Sequence, residues 1–274
     1  MMNAYALKEL GSHSVYMDEY NPGLLEKVSR APARAAFRLD TSRGYDLWRL
    51  YELTYLNRLA IPEVAMGMLT VPASSPFIVE SKSLKLYLGS FTQTRFENLS
   101  EVAEVITHDL GQLLECDVKV SLWDVEDAAE AFAIAPSDAT LIDVNAGFVI
   151  DSYDLNPELL IKKDGPRVEE TLRSNLLRTL CPVTSQPDHA SVLIHYQGVQ
   201  VNHLDLLRYL ISFRQHQGFH EQCVEQIYHD LKFRLKLDKV SVKAFFTRRG
   251  GIDINPVRSD FDETHPALPR TLRQ

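Results

Sequence analysis

The sequence is poor in features that mark several large protein classes. Cysteine occurs only 3 times in 274 residues, and such a small, odd number excludes a disulfide framework and favours a reducing compartment. No apolar run approaches the roughly 18 residues of a membrane span, and the first residues contain no apolar stretch of a signal peptide. We therefore expect a cytoplasmic protein with no membrane partner.

Motifs for common cofactors and metals are also missing. Neither G-x-G-x-x-G nor G-x-x-x-x-G-K-[ST] occurs, so the two usual glycine-rich phosphate loops are excluded. There is no C-x-x-C pair and no zinc-type spacing of His and Cys, and we expect no metal. The 29 Lys and Arg against 37 Asp and Glu give a net charge of -8. This charge argues against a broad nucleic-acid surface but allows a local cationic pocket.

What remains is the composition of an ordinary folded chain, long enough for one large domain or two modest ones. Hydrophobic periodicity predicts alternating strands and helices. Asn98 and Glu101 have the spacing of a capping box at a helix start. Strands are predicted at 64–71, 118–123, 191–196 and 240–246, and helices at 46–59, from Leu99, at 169–180 and from about Glu221.

The two halves of the sequence resemble each other. Residues 84–91 (LKLYLGSF) match 206–213 (LLRYLISF), and several shorter matches occur at similar offsets of roughly 120 to 125 residues. We interpret this as two tandem copies of an antiparallel β-plus-helix module. The predicted division is an irregular segment at 1–44, a first module at 45–130, a connection at 131–165, a second module at 166–260 and a tail at 261–274.

Residues that could carry chemistry differ between the two copies. Cys181 stands on a proline-restrained turn, seven positions before Asp188, and could be a nucleophile beside a proton donor or base. A lone cysteine can equally be a small buried hydrophobe, as we expect for Cys116 and Cys223. The predicted helix before Cys181 also opposes activation, because the negative end of a helix dipole raises a thiol pKa.

A second candidate set is Glu80, Ser81 and Lys82, which follow Val79 and precede an apolar helical run. Free backbone N–H groups at a helix start, with a lysine beside them, suit an anion. The alternative is an ordinary solvated helix start. The second copy has Asn202 and His203 at this place, so the fold does not require the Glu-Ser-Lys set.

Two further sets lie in the second half. His220 and Glu221 begin a predicted helix, where the carboxylate could accept two N–H donors of a purine-like edge; the alternative is a helix cap with a surface histidine. Arg248, Arg249, Gly250 and Gly251 follow a strand and suit a phosphate-bearing cofactor, through fork-like donors and close backbone approach. The alternative there is a charged turn.

Together these segments resemble one family: the long, two-module NADPH-dependent 7-cyano-7-deazaguanine reductases, the nitrile reductases of queuosine biosynthesis. The resemblance covers roughly residues 45 to 259 and fails only in 124–160. It rests on four stretches, 80–88 (ESKSLKLYL), 181–188 (CPVTSQPD), 219–223 (FHEQC) and 248–256 (RRGGIDINP).

The resemblance implies an α+β fold of tandem tunnelling-fold (T-fold) modules, antiparallel sheets with helices on one face, and a homodimer. It implies that Cys181 attacks the nitrile to form a thioimidate, that Asp188 donates the proton, and that two NADPH are consumed in two hydride transfers. The implied substrate-binding residues are Val79, Glu80, Ser81, His220 and Glu221, and the implied cofactor-binding residues are Ser81, Lys82, Arg249 and Gly250.

Two alternatives remain open from the sequence. One is a cyclohydrolase-like T-fold enzyme, which would use zinc with Cys and His ligands. The other is a non-catalytic T-fold protein that binds a purine or pterin, although binding alone requires neither Cys181 nor Asp188. The resemblance and the negative charge favour the free base, and not tRNA, as the substrate.

Overall fold

The computed structural model describes residues 17–143, 149–261 and 268–274. The prediction about a signal peptide, and the first part of the segment predicted as irregular, lie outside these residues. Among the described helices, none is long and apolar enough to cross a membrane. The helices are α1 (Ala31–Arg34), α2 (Ser81–Gly89), α3 (Leu99–Leu114), α4 (His203–Ser212) and α5 (His220–Leu235).

An eight-stranded sheet runs through the molecule in the order β5-β3-β2-β10-β9-β8-β7-β6, and a separate ribbon joins β1 to β4. All neighbours pair antiparallel except β6 with β7. The predicted α+β fold class is confirmed. The strands are β1 (Lys27–Ser29), β2 (Gly44–Leu56), β3 (Pro62–Pro72), β4 (Phe77–Val79), β5 (Lys119–Asp124), β6 (Thr140–Leu141), β7 (Arg167–Leu180), β8 (Pro187–Val199), β9 (Lys239–Phe246) and β10 (Ile252–Ser259).

Two predicted helices are strands. The segments 46–59 and 169–180 lie largely in β2 and β7, the long first strands of the two copies. In β7 the register shifts between Ser174 and Leu177, so the alternation of buried side chains skips a position there. Across this shift the buried residues Leu172 and Leu177 stand five positions apart, so the segment lacks the strict alternation that predicts a strand. Leu176, predicted to lie in the helical stripe with Leu172, is 43% exposed, whereas Leu172 is buried.

The two copies share this irregularity, as a tandem duplication requires. In β2 the register against β3 shifts between Leu50 and Leu53, and in β7 the register against β8 shifts between Ser174 and Leu177. Equivalent strands therefore carry equivalent bulges, a feature that is kept within a fold because it sets the bend of the strand.

Equivalent hydrogen bonds also recur. In each copy a tyrosine of the first helix donates to an aspartate of the second helix, Tyr87 to Asp109 at 2.6 Å and Tyr209 to Asp230 at 2.7 Å. Each second helix (α3 and α5) ends on a left-handed residue. These shared details support the duplication that the sequence repeat predicts.

The helices pack against one face of the sheet in two large apolar cores, one for each copy. The opposite face carries a smaller core that includes Phe132 and Leu268. The copies are joined because β10 pairs with β2 over Ile252–Leu50 to Arg258–Gly44. The last strand of the predicted second module is thus a neighbour of the first strand of the predicted first module. The module boundaries remain predictions.

Candidate active site

Two adjoining cavities, of about 280 and 20 Å³, lie where α2 of the first copy faces the second copy. The chain brings all the predicted site residues to their walls. The residues that line both cavities are Glu80, Ser81, Cys181, His220, Arg249 and Ile254; Lys82 and Gly250 line the larger cavity, and Val79, Asp188 and Glu221 line the smaller.

The Glu-Ser-Lys set lies at a helix start, as predicted. Glu80 is the N-cap of α2, and its Oε2 accepts from the Ser83 backbone N–H at 2.7 Å. Ser81 and Lys82 form the first turn, so the free N–H groups of that turn are beside the larger cavity. Glu80 itself is buried, unlike a residue of an ordinary solvated helix start.

Cys181 follows β7 directly, so the prediction of a preceding helix is wrong. The objection from a helix dipole therefore does not apply. Cys181 begins a tight turn into β8: its N–H donates to the Gln186 carbonyl, and its carbonyl accepts from the Ser185 N–H, both at 2.9 Å. Ser185 adopts a left-handed backbone conformation, with φ 56°. The turn holds the largely buried thiol at the cavity wall.

Asp188 is buried between two cationic or ionisable groups. Arg249 Nη1 lies 2.6 Å from its Oδ1, and His220 Nε2 lies 3.2 Å from its Oδ2. Arg249 is partly exposed, with 40% of its side chain accessible. The acid predicted for proton transfer therefore contacts residues from both other predicted sets of the second half.

His220 is buried in the first turn of α5, so the alternative of a surface histidine is wrong. Its ring stacks on Phe246 with centroids 3.7 Å apart and planes at 6°. Burial lowers the pKa of His220, although Asp188 opposes this shift. The imidazole is therefore neutral near pH 7 and has one donor and one acceptor nitrogen.

Glu221 is buried beside His220. Burial, together with the negative charge of Asp46, raises the pKa of Glu221 to about 8. Its Oε1 is enclosed and has no hydrogen-bond partner among the residues that the structure describes. A buried polar atom of this kind is costly unless a ligand satisfies it.

Arg249 and Gly250 lie in the turn between β9 and β10. Arg249 and Ile252 exchange backbone hydrogen bonds of 3.0 and 3.2 Å around two left-handed glycines, Gly250 at φ 60° and Gly251 at φ 76°. Positive φ at both central positions is the requirement of a type I′ turn, which explains the glycine pair. Lys85 Nζ donates to the Gly250 carbonyl at 2.7 Å.

The sequence motifs did not identify several residues near this site. Phe246 supports His220, and four buried charged residues lie behind the cavity: Arg30, Asp46, Glu225 and Arg258. We call these four residues the buried ion cluster. From sequence alone, an arginine or an aspartate within a strand is expected on the surface. Only the ion pairs of the folded structure show that these residues are buried. Within the described ranges, no group of three His, Cys, Asp or Glu is placed to hold a metal ion.

Comparison with known proteins identifies the family of this chain. Residues 16–122 match the family described as "Nitrile reductase, 7-cyano-7-deazaguanine-reductase N-term", and residues 187–265 match "QueF-like protein". A curated protein of Burkholderia orbicola (strain MC0-3), named NADPH-dependent 7-cyano-7-deazaguanine reductase, is 45% identical over 271 residues, covering 97% of this chain and 98% of its own length. The chain belongs to this reductase family.

The reductase of Burkholderia multivorans (strain ATCC 17616 / 249) is 44% identical over 271 residues, covering 97% of both chains. Among solved structures, an archaeosine synthase QueF-Like in the apo form covers 35% of this chain and 95% of its own, with 18% identity and a TM-score of 0.30. Membership of the reductase family makes the chain an oxidoreductase, and the family is NADPH-dependent.

Proposed function

We propose that this chain reduces the nitrile of 7-cyano-7-deazaguanine to the aminomethyl group of 7-aminomethyl-7-deazaguanine, with NADPH as the reductant, for queuosine biosynthesis. The names of relatives that match nearly the whole chain support the reaction. The observation that carries the assignment of residues is that Cys181 and Asp188 line one small cavity with Glu80 and Glu221.

We assign substrate recognition to the two carboxylates and their neighbours. A guanine-like edge presents N–H donors, and the oxygens of a carboxyl group accept hydrogen bonds from them in either protonation state. Glu221 offers an enclosed, unpartnered oxygen, while Glu80 is fixed in direction by its bond to the Ser83 N–H. Val79, Ser81 and His220 complete the wall around that edge.

We assign covalent capture of the nitrile to Cys181. Its sulfur forms a bond to the nitrile carbon, and the thiol proton passes through Asp188 to the nitrile nitrogen, giving a thioimidate. A nitrile is a poor hydride acceptor, and this capture gives a more electrophilic C=N unit. After the first reduction the C–S bond breaks to leave an imine, which the second reduction converts to the amine. Asp188 supplies a proton as charge develops on nitrogen.

The residues on the cavity wall fit NADPH. Lys82 and the first turn of α2 offer a cation and backbone N–H groups, and partly exposed Arg249 stands on a turn whose glycines allow close approach. When bound, NADPH supplies one hydride for each of the two reductions. Ser81, Lys82, Arg249 and Gly250 would hold it against Cys181.

The proposal also covers the oligomeric state of the enzyme, its cellular location and the form of its substrate. Every predicted site residue comes from one chain, and we propose a homodimer of such chains in the cytoplasm. We propose the free base as the substrate, because the net charge of -8 does not favour an RNA surface.

The direct test follows NADPH absorbance with purified protein and 7-cyano-7-deazaguanine. We expect two NADPH oxidised per nitrile, loss of the activity in Cys181→Ala, and full activity in Cys116→Ala, whose thiol lies outside both cavities. Binding of the nitrile without oxidation would instead favour a non-catalytic binding protein. An enzyme that binds no nitrile would overturn the substrate assignment.

A further inference from the structure

The buried ion cluster joins four parts of the chain. Arg30 Nη2 lies 2.5 Å from Asp46 Oδ2, and Arg30 Nη1 lies 3.4 Å from Glu225 Oε1. Arg258 reaches the same two carboxylates, at 2.8 Å from Asp46 Oδ1 and 2.6 Å from Glu225 Oε1. All four side chains are almost fully buried. Arg30 thereby connects the N-terminal segment to β2 and α5, and Arg258 extends the cluster to β10.

The segment around Arg30 also holds one wall of the substrate cavity. Strand β1 pairs with β4, with Lys27 opposite Val79. The Glu80 N–H donates to the Glu26 carbonyl at 2.9 Å, and the Glu26 N–H donates to Ser83 Oγ at 3.0 Å. The position of Glu80 at the start of α2 is thus set by the strand that leads directly into Arg30.

The same segment also holds the part of the cavity wall that contains Glu221. Glu225 lies four residues after Glu221 on α5, which is about one turn, so the two side chains share a helix face. Arg34 adds two bonds to Glu225, from Nε at 3.0 Å and from Nη2 at 2.6 Å. Arg30 and Arg34 therefore fix the turn of α5 that follows Glu221.

We propose that Arg30 is a positioning residue of the substrate site. Through β1 it is tied to Glu80, and through Glu225 to Glu221, so it fixes the spacing of these two side chains in the cavity wall. This inference rests on the proposed function, in which both carboxylates bind the substrate edge. A planar ligand bound by two fixed acceptors is sensitive to small changes in their spacing.

The test compares Arg30→Met with Lys27→Met. Lys27 lies on the same strand but pairs with exposed Glu115 at 2.8 Å, outside the cluster. We expect Arg30→Met to raise KM for the nitrile at least tenfold while KM for NADPH changes less than twofold. Arg30→Lys should recover part of the loss, and Lys27→Met should leave both constants within twofold of wild type.

A charge-balanced variant distinguishes loss of the positioning role from loss of folding. Arg30→Met leaves Asp46 with one cationic partner fewer, whereas the double variant Arg30→Met/Asp46→Asn removes both charges of the pair. We expect the double variant to recover Tm but to keep the raised KM for the nitrile. Recovery of KM together with Tm, or a KM in Arg30→Met equal to that of wild type, would overturn the positioning role.

Failure of the proposed function gives a different result. A wild type that binds the nitrile without reducing it overturns the reaction alone, and the same comparison is then made on Kd. A wild type that neither binds nor reduces the nitrile overturns the function and this inference with it.

Discussion

Two neighbouring arginines show how a single position decides a role. Arg249 lines both cavities and contacts Asp188, whereas the Arg248 guanidinium lies over the Tyr51 ring, 4.3 Å from its centroid, and lines neither cavity. The sequence presents them as an equivalent pair. Both arginines follow the end of β9. Along an extended chain, successive side chains point to opposite faces, so neighbours such as these are separated.

We predict that Arg249→Ala raises KM for NADPH at least tenfold, because a fork-like phosphate donor is lost. Arg248→Ala is the matched control and should leave KM for NADPH within twofold. The measurement is initial rate against NADPH concentration at saturating nitrile. Equal effects of the two variants would contradict the assignment of Arg249 to the cofactor.

The fold changes the charge state of Glu221. Its pKa of about 8 lies well above the ordinary value of 4.5, so the folded state keeps a proton that the unfolded state loses. This group therefore destabilises the folded protein as pH rises from about 4.5, and the full cost is reached above about 8. Glutamine in its place carries no such cost.

We predict that Glu221→Gln raises Tm at pH 8 by about 2–4 °C, the shift that corresponds to about 1 kcal/mol. The gain should vanish near pH 4, and affinity for the nitrile should fall at least tenfold. Glu104→Gln on the exposed side of α3 is the control and should change neither quantity. A stabilisation that does not depend on pH would show that ionisation of Glu221 is not its cause. Differential scanning fluorimetry across pH provides the measurement.

At the scale of elements, the sequence predicted β3, β5, β8 and β9 and the second helix of each copy, whereas the short strands β1, β4 and β6 were not predicted. The helix from Leu99 with its Asn98 cap is confirmed, since its cap and apolar period are local features. The strands β2 and β7 were predicted as helices, because a bulge is a property of pairing with another strand. Periodicity alone does not distinguish a strand with a bulge from a helix, because the bulge breaks the alternation of side chains.

The start of β2 gives an element-scale prediction about packing. Gly44 has φ 122°, and a Cβ built on it would lie 2.1 Å from the Val257 carbonyl oxygen. Backbone cannot move aside as a flexible side chain does, so we expect Gly44→Ala to reduce the free energy of unfolding by about 2 kcal/mol or more.

The control is Gly89→Ala at the end of α2, where an added Cβ meets nothing within 4 Å. Alanine is the better helix former, so that variant should match or slightly exceed wild-type stability. Urea denaturation of both variants measures the difference. A stable Gly44→Ala would mean that β2 and β10 separate at that end without cost.

At the scale of the whole molecule, the duplicated halves share one sheet. The β2–β10 pairing and the buried ion cluster both cross between the copies, and Ile252 and Ile254 of β10 belong to the apolar core of the first copy. The site lies at this junction. The first copy supplies Glu80, and the second supplies Cys181 and Asp188.

We predict that the copies unfold together. Both tryptophans, Trp48 and Trp123, lie in the first copy, so fluorescence reports that copy and its junction with β10, whereas far-UV circular dichroism reports the whole chain. Urea transitions followed by the two methods should coincide, as expected for one cooperative unit. Separate midpoints would show that the junction contributes little to stability.

The sequence by itself indicated the repeat and the Asn98 cap, because local spacing carries that information, and the resemblance to the reductase family supplied the candidate site residues. The tertiary structure alone decided that β2 and β7 are strands, that His220 is buried, and that Arg30 ties the two parts of the cavity wall together. Burial and ion pairing between residues up to about two hundred positions apart depend on which surfaces meet when the chain folds. The lengths of the strands and the positions of the bulges determine which surfaces come into contact. Neither can be predicted from one segment of the sequence.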